Sequence, residues 1–138
     1  MLHNCHYRVS AKALIRDADG KLLFVEENEG NGFELPGGGI ENGETAKDTL
    51  KRELREELGA ELTNMKDAPA YVWIINGEVI WLLFEADIDT IKNFVASEHA
   101  AGTGYYHPSE LYNKAEAGLG YCARANYEDL LSFVSSSK

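Results

Sequence analysis

Residues 38–60 read GGIENGETAKDTLKRELREELGA, and within them Glu53 stands three residues before Glu56 and four before Glu57. Side chains at these spacings share one face of an α-helix, one turn apart. Like charges so placed repel each other by roughly 0.2–0.5 kcal/mol per pair on an exposed helix. A bound hard cation reverses that repulsion, because Mg²⁺ and Mn²⁺ prefer carboxylate oxygens as ligands. The stretch therefore predicts a helix whose acidic face holds a divalent cation.

The same stretch predicts where this helix begins and ends. Thr45 followed by Asp48 is typical of a capped helix start, and Gly59 suits a left-handed cap after Leu58. Apolar residues that repeat every four positions predict the buried stripe, Ala46, Leu50, Leu54 and Leu58. Upstream, residues 34–39 read ELPGGG, which predicts a strand end and then a glycine loop that can approach a ligand closely.

This segment resembles the Nudix box, the signature of the Nudix hydrolase family. The positions that match in order and spacing are Gly38, Glu44, Arg52, Glu53, Leu54, Glu56, Glu57 and Gly59. Ala60 departs from the pattern, since a larger aliphatic residue is usual there, and this affects packing rather than chemistry. The resemblance implies an α+β fold, an α/β/α sandwich with a mixed central sheet. It also implies metal-dependent hydrolysis of a nucleoside diphosphate linked to another moiety.

The resemblance assigns roles to the acidic side chains of the box. Glu53, Glu56 and Glu57 match the metal-binding and water-activating positions, with Mg²⁺ as the usual ion and Mn²⁺ as a substitute. We expect Glu56 and Glu57 to be the principal ligands, and Glu53 to be a ligand or the general base. The carbonyl of Gly37, just before the box, can add a neutral oxygen ligand.

Three residues complete the predicted site. Glu44 and Arg52 match a pair that orients the catalytic helix without taking part in the chemistry. Glu98 precedes residues 105–111, YYHPSEL, which resemble an aromatic-then-Glu-Leu segment of the family. A loop glutamate just before that segment often reaches the metal ions, so Glu98 is a predicted ligand and catalytic residue. The alternative for Glu98 is an exposed loop acid.

Other interpretations of the acidic helix stay open. Basic residues on the same helix could pair with the glutamates, and charge runs are usually solvated faces. The glycine-rich segment before the helix and Glu44 at its fixed distance argue against that alternative. A non-catalytic nucleotide-sensing module would keep the fold without turnover. An isoprenoid diphosphate isomerase of this fold is disfavoured, because neither Cys5 nor Cys122 lies in a matching motif.

The composition limits the partners. The 138 residues suit one domain over 1–138, and 13 Lys and Arg against 23 Asp and Glu give a net charge of −10. This charge disfavours nucleic acid as a partner. No apolar run is long enough to span a membrane and no signal-peptide pattern is present, so we expect a cytoplasmic enzyme of a small nucleotide. A homodimer is a further hypothesis, and His3, Cys5 and His6 could hold a soft metal.

The strand pattern fits a mixed sheet covered on both sides. Residues 7–15 and 21–26 are predicted to form a hairpin. Asn76-Gly77, at the centre of residues 70–86, predicts a second hairpin whose two-residue loop places Trp73 opposite Ile80. Both faces of this second hairpin are apolar, so we expect both to be covered. Further short elements are predicted at 33–35, 61–65, 105–107, 108–111 and 126–135.

Side chains that could contact a substrate are less specific. Four basic residues near the first two strands could contact phosphate, although exposure at the surface is the commoner role: Arg8, Lys12, Arg16 and Lys21. Trp73 and Trp81 could stack on a base, although tryptophans in a sheet with two apolar faces usually belong to the core. Residues 75–78 lack the markers of some Nudix subgroups, which disfavours ADP-ribose, dinucleoside polyphosphates and NADH. A short chain with no added domain favours nucleoside triphosphates, including damaged ones.

Overall fold

The computed structural model describes residues 4–27, 32–92, 102–114 and 118–136. The strands are β1 (Arg8–Leu14), β2 (Leu22–Glu27), β3 (Gly32–Glu34), β4 (Gly37–Gly39), β5 (Leu62–Met65), β6 (Tyr71–Ile75), β7 (Val79–Ile88) and β8 (Gly102–Tyr106). The helices are α1 (Ala46–Leu58), α2 (Pro108–Tyr112), α3 (Tyr121–Ala125) and α4 (Tyr127–Ser135). No helix in these ranges has the length and apolar character needed to cross a membrane.

The strands form two sheets. The larger has the order β4-β1-β7-β5, with β6 also paired to β7, and the smaller has the order β3-β2-β8. The β1–β7 pair is parallel and the other strand pairs are antiparallel. The predicted α+β class with a mixed sheet is confirmed, and in the described ranges β5 pairs with β7 at an edge of that sheet. The separate three-stranded sheet is an addition that the sequence patterns did not predict.

Helix α1 forms as its local signals predict. The Thr45 hydroxyl accepts from the Asp48 N–H at 3.1 Å, and the Asp48 carboxylate accepts from the Thr45 N–H at 3.0 Å. Gly59 ends the helix in the left-handed conformation with φ 60°. Leu50, Leu54 and Leu58 are fully buried. The helix is therefore fixed at both ends and along its apolar stripe, so its acidic face has a defined position.

Two apolar layers enclose the larger sheet. One layer joins the sheet to α1, through Ala11, Ala13, Leu50, Leu54, Leu58 and Phe84. The other joins the sheet to the C-terminal helices, through Leu14, Trp73, Trp81, Leu83, Leu130 and Phe133. Trp73 and Trp81 stack at 5.9 Å between ring centroids, and the Trp73 indole N–H donates to Asp129 at 2.9 Å. Both tryptophans therefore belong to the core.

The predicted hairpin between residues 7–15 and 21–26 forms only beside its turn, and the predicted ladder between its two strands is wrong. β1 lies in the larger sheet and β2 in the smaller one, and in the described ranges their ladder is reduced to an isolated bridge between Arg16 and Leu22. The physical reason is that both edges of β1 are already paired, one with β4 and the other with β7. β2 therefore finds its partners in β3 and β8.

The second hairpin forms, but its predicted register is wrong by one residue. The Glu78 N–H closes the turn on the Ile75 carbonyl at 3.0 Å, yet the ladder pairs Ile75 with Val79 and Trp73 with Trp81. Glu78 is thus an additional residue between the turn and the first pair of the ladder. The resulting shift of register brings both tryptophans onto one face. Coverage of both faces is also wrong at β6, since Val72 is 54% and Ile74 is 62% exposed in the described part of the protein.

The predicted glycine loop is instead strand β4. Its three glycines pair antiparallel with β1, with Gly37 opposite Lys12. Gly37 has φ 135°, and a Cβ added there would lie 2.1 Å from the Ala11 carbonyl oxygen. Only glycine allows this close approach to the central strand. The residues just before α1 are therefore held in a regular edge strand rather than a free loop.

Candidate functional site

Strand β4 and helix α1 bring two of the predicted acidic residues together. The Gly37 N–H donates to Glu57 Oε1 at 3.1 Å. At Gly38, an added Cβ would lie 2.4 Å from Glu53 Oε1, so the glycine leaves the space that the carboxylate fills. Glu53 and Glu57, one helical turn apart, both lie against the edge strand. The glycines of β4 are therefore part of the geometry of the acidic face.

Arg52 links the helix, the strand and the segment between them. Its guanidinium donates to both carboxylate oxygens of Glu44, at 2.8 and 3.0 Å, to Glu53 Oε1 at 2.8 Å and to the Gly39 carbonyl at 3.2 Å. The hydrogen bonds that Glu44 accepts, above all those from Arg52, lower the pKa of its carboxyl to about 2. Glu44 also accepts from the Thr49 hydroxyl at 2.9 Å. The two residues connect the elements of the site through a fork-like, two-pronged contact.

Glu57 is largely shielded from solvent. Burial raises the pKa of its carboxyl to about 7, while the positive charge of Lys12 and the Gly37 N–H act in the opposite direction. A buried carboxylate is costly to ionise unless a cation or hydrogen bonds compensate its charge. Glu57 is therefore a position at which a bound cation would be stabilised electrostatically.

Glu56 differs from its two neighbours. Its side chain is 60% exposed, and its carboxylate lies 3.6 Å from Arg52 Nη1. Within the described ranges, no three Asp, Glu, His or Cys side chains come close enough together to hold a metal ion. The structure thus brings Glu53 and Glu57 to the strand, places Glu56 at the rim, and does not gather the three into one ligand group.

The donors of this face fit Mg²⁺ in their chemistry. They are carboxylate oxygens without sulfur or nitrogen, the ligand type that hard cations prefer. Mg²⁺ usually keeps several waters and is held by one or two carboxylates together with substrate phosphates, so a complete protein cage is not required. Glu57, half-buried and with a raised pKa, is the donor that gains most from such a cation.

Two predicted sites cannot be placed fully. Glu98 lies outside the described residues, and so does His3. Cys5 is exposed, and neither it nor His6 belongs to a three-residue group of metal-binding side chains in the described part of the chain. The soft-metal hypothesis at the N-terminus therefore gains no structural support there.

The sequence did not predict two buried charged residues near this face. Lys12 is 8% exposed, which corrects its expected place on the surface, and Glu34 is 5% exposed. Glu34 accepts from the N–H groups of Cys122 and Ala123 at 2.9 and 3.0 Å, and burial raises the pKa of its carboxyl to about 7. The position of Lys12 in the sequence could have indicated its burial, because it lies in the middle of an apolar strand, between Ala11 and Ala13.

The chain matches a known family over most of its length. The family model described as NUDIX domain matches residues 6–121. An uncharacterised Nudix hydrolase of Bacillus subtilis (strain 168) is 29% identical over 97 residues, which cover 67% of this chain and 61% of that protein. An 8-oxo-dGTP diphosphatase of Haemophilus influenzae is 28% identical over 112 residues, 72% of this chain and 82% of that protein.

The fold has counterparts among solved structures. An ADP-ribose pyrophosphatase from Streptococcus suis superposes with a TM-score of 0.68, over 95% of this chain and 93% of that one, at 22% identity. At this identity the likeness concerns the fold alone. The family match confirms the resemblance seen in residues 38–60 and, together with the Haemophilus influenzae relative, bears out at the level of the family the predicted enzyme class, a hydrolase of pyrophosphate bonds. The solved structure supports the fold.

Proposed function

Because the chain belongs to the NUDIX domain family, we propose that it is a metal-dependent pyrophosphohydrolase of a small nucleotide. Its substrate is a nucleoside diphosphate linked to another moiety, and we favour a nucleoside triphosphate. The observation that carries this proposal is the acidic face of α1 packed against β4, where Glu57 accepts from the Gly37 N–H and Glu53 fills the space above Gly38.

A bound Mg²⁺ supplies charge neutralisation at phosphate oxygens and lowers the pKa of a coordinated water. In the proposed site Glu56 and Glu57 would hold the ion, helped by the Gly37 carbonyl and by Glu98, and Mn²⁺ could replace Mg²⁺. Glu53 serves as a further ligand or takes the proton from the attacking water. The Arg52 hydrogen bond to Glu53 Oε1 at 2.8 Å fixes the orientation of that carboxylate.

The reaction breaks one bridging P–O bond and forms one P–O bond to water. The water oxygen attacks phosphorus while a carboxylate accepts its proton, and the bridging oxygen leaves with the departing group. A nucleoside triphosphate would yield a nucleoside monophosphate and pyrophosphate. Arg52 and Glu44 take no part in the bond changes, and their role is to keep the helix and β4 aligned.

Two observations bear on the substrate. The Haemophilus influenzae relative carries the name of a nucleoside triphosphate enzyme, and the similarity covers 72% of this chain. The net charge of −10 opposes binding to a nucleic acid backbone. Both support a small nucleotide, and the screen below identifies it.

A second candidate function is a nucleotide-binding module without turnover. It would keep the fold of the family and the acidic face of α1 but would release no product. The two candidates differ in one measurable property, the release of phosphate or pyrophosphate.

The test is a turnover screen over nucleoside triphosphates, ADP-ribose, dinucleotides and sugar nucleotides, with Mg²⁺, Mn²⁺ or excess chelator. We expect hydrolysis of one class in Mg²⁺ or Mn²⁺ and none in chelator. Glu57→Gln should lower kcat by roughly 10²–10⁴, the range for loss of a metal-binding or proton-accepting group. Glu128→Gln, an exposed carboxylate on α4, is the matched control and should keep the wild-type rate. Equal turnover in chelator, or no turnover of any compound, would reject the proposal.

A further inference from the structure

Lys12 is a buried cation with few partners. It lies on central strand β1, is 8% exposed, and its ammonium makes a single hydrogen bond in the described part of the protein, to the Leu35 carbonyl at a long 3.4 Å. An ammonium group carries three donors. No carboxylate of the described residues lies within 4.0 Å of it. A charged group buried this deeply is costly unless its donors are satisfied, so Lys12 has unused capacity to bind an acceptor.

The surroundings of Lys12 hold its ammonium at one place. Its Nζ lies 4.4 Å from the ring centroid of Trp81, within the range of a cation–π contact. Trp81 is itself 8% exposed and stacks on Trp73. The ring is therefore a rigid support for the ammonium. Lys12 is a fixed charge rather than a mobile surface side chain.

Lys12 is also close to the proposed metal face. It pairs with Gly37 across the β1–β4 ladder, and Gly37 donates to Glu57. Lys12 therefore lies on the strand next to the one against which Glu53 and Glu57 pack.

Arg52, a second basic residue near this face, is already engaged in hydrogen bonds. Arg52 donates to Glu44, Glu53 and the Gly39 carbonyl, which leaves its guanidinium committed to holding the helix. Lys12 has no such commitment. A polyphosphate that approaches carboxylates and metal ions brings excess negative charge, and a desolvated ammonium is a strong point-charge partner for it.

Resting on the proposed function, we propose that Lys12 is a substrate-binding residue whose ammonium donates to a phosphate oxygen of the nucleotide. The cation–π contact with Trp81 and the pairing with Gly37 set its position before the substrate arrives. Lys12 therefore binds the phosphate portion common to the candidate nucleotides, and it does not discriminate among their bases.

The test compares wild type with Lys12→Met, which keeps an unbranched side chain of similar length and removes the charge. The probe is methylenediphosphonate in saturating Mg²⁺, because water cannot cleave its P–C–P bridge, and binding is measured by calorimetry. We expect at least a tenfold loss of affinity for this probe in Lys12→Met. Affinity for Mg²⁺ alone should be unchanged or higher, since a positive charge near Glu57 has been removed.

Two controls make the comparison specific. Lys66→Met removes the same charge from an exposed lysine that pairs with Glu85, and it should bind the probe like wild type. Lys12→Met should unfold at the wild-type temperature or above, because an apolar side chain replaces a buried charge. Circular dichroism checks that all variants are folded.

The outcomes separate this inference from the proposed function. Unchanged probe affinity in Lys12→Met, no probe binding by wild type, or an equal loss of affinity for Mg²⁺ alone would each overturn the role of Lys12. If Lys12 binds the probe but no nucleotide is hydrolysed, the proposed hydrolase fails while the phosphate contact stands. If nucleotides are hydrolysed and Lys12→Met binds the probe normally, the contact fails while the hydrolase stands.

Discussion

Glu57 shows how a single side chain can oppose the stability of the protein that carries it. Its ordinary pKa of 4.5 is raised to about 7 in the folded chain, chiefly by burial. Between these two pH values the unfolded chain has released the proton and the folded chain still holds it. The stability contributed by this group therefore falls as pH rises from about 4.5 to 7. Such a cost is tolerated where the residue has a function that needs it.

This fall in stability with rising pH predicts how the stability of Glu57→Gln should differ from that of wild type. Without metal, the variant should match wild type near pH 4 and become more stable as pH rises, by up to about 3 kcal/mol at pH 8. The measurement is the free energy of unfolding in denaturant at several pH values, in chelator. Glu56→Gln, at a 60% exposed side chain, is the control and should differ little from wild type. A difference for Glu57→Gln that stays constant with pH would refute the burial of its charge.

At the scale of elements, β4 is as important to the site as α1. A Cβ at Gly38 would lie 2.4 Å from Glu53 Oε1, whereas a Cβ at Gly39 would have no atom within 4 Å. Neither glycine has a positive φ. The two positions therefore form a matched pair in one strand, in which only the first substitution disturbs the acidic face.

Gly38→Ala should displace the Glu53 carboxylate and lower kcat at least tenfold, while Gly39→Ala should stay within about twofold of wild type. A misplacement of about 1 Å in a catalytic group is enough for a loss of this size or more. Both variants should remain folded, because the crowded atom at Gly38 is the end of a flexible side chain. The measurement is kcat from steady-state kinetics on the substrate found in the screen, and thermal unfolding of both variants checks that they are folded. Equal rates for the two variants would remove Glu53 from the chemistry.

The elements also show what can be predicted from the sequence and why. α1 was predicted within one residue because its cap, apolar stripe and C-terminal glycine are local signals. The pairing of β1 with β7 depends on residues far apart in the chain, so the adjacent β2 was wrongly chosen as partner. The predicted register of β6 and β7 is wrong because Glu78 lies as an additional residue beside the turn, and the Asn76-Gly77 pair does not specify this. The pairing of Lys12 with Gly37 and its contact with Trp81 are likewise products of this long-range pairing.

At the scale of the whole molecule, metal binding should appear as added stability. A ligand that binds only the folded state stabilises it by about 2.7 kcal/mol at one hundred times its Kd. For a chain of this size that corresponds to a rise in Tm of roughly 5–10 °C. Glu57→Gln should show little of this rise, and Glu128→Gln should show all of it. A calorimetric scan with and without Mg²⁺ at pH 8 is the measurement, and an equal rise in Glu57→Gln would place the ion elsewhere.

The parallel pairing of β1 with β7 has a consequence for the order in which the protein can fold. Arg8 pairs with Val79, so about half the chain lies in the loop that this contact closes. Closing so long a loop is entropically slow, and contacts of this kind lower folding rates. Residues 38–60 leave the ribosome well before β7, the partner of β1, has been synthesised. α1 can form early as a local unit, whereas the strand it packs on gains its second neighbour only after β7 has been made. The acidic face is thus assembled late, once the two halves of the chain have met.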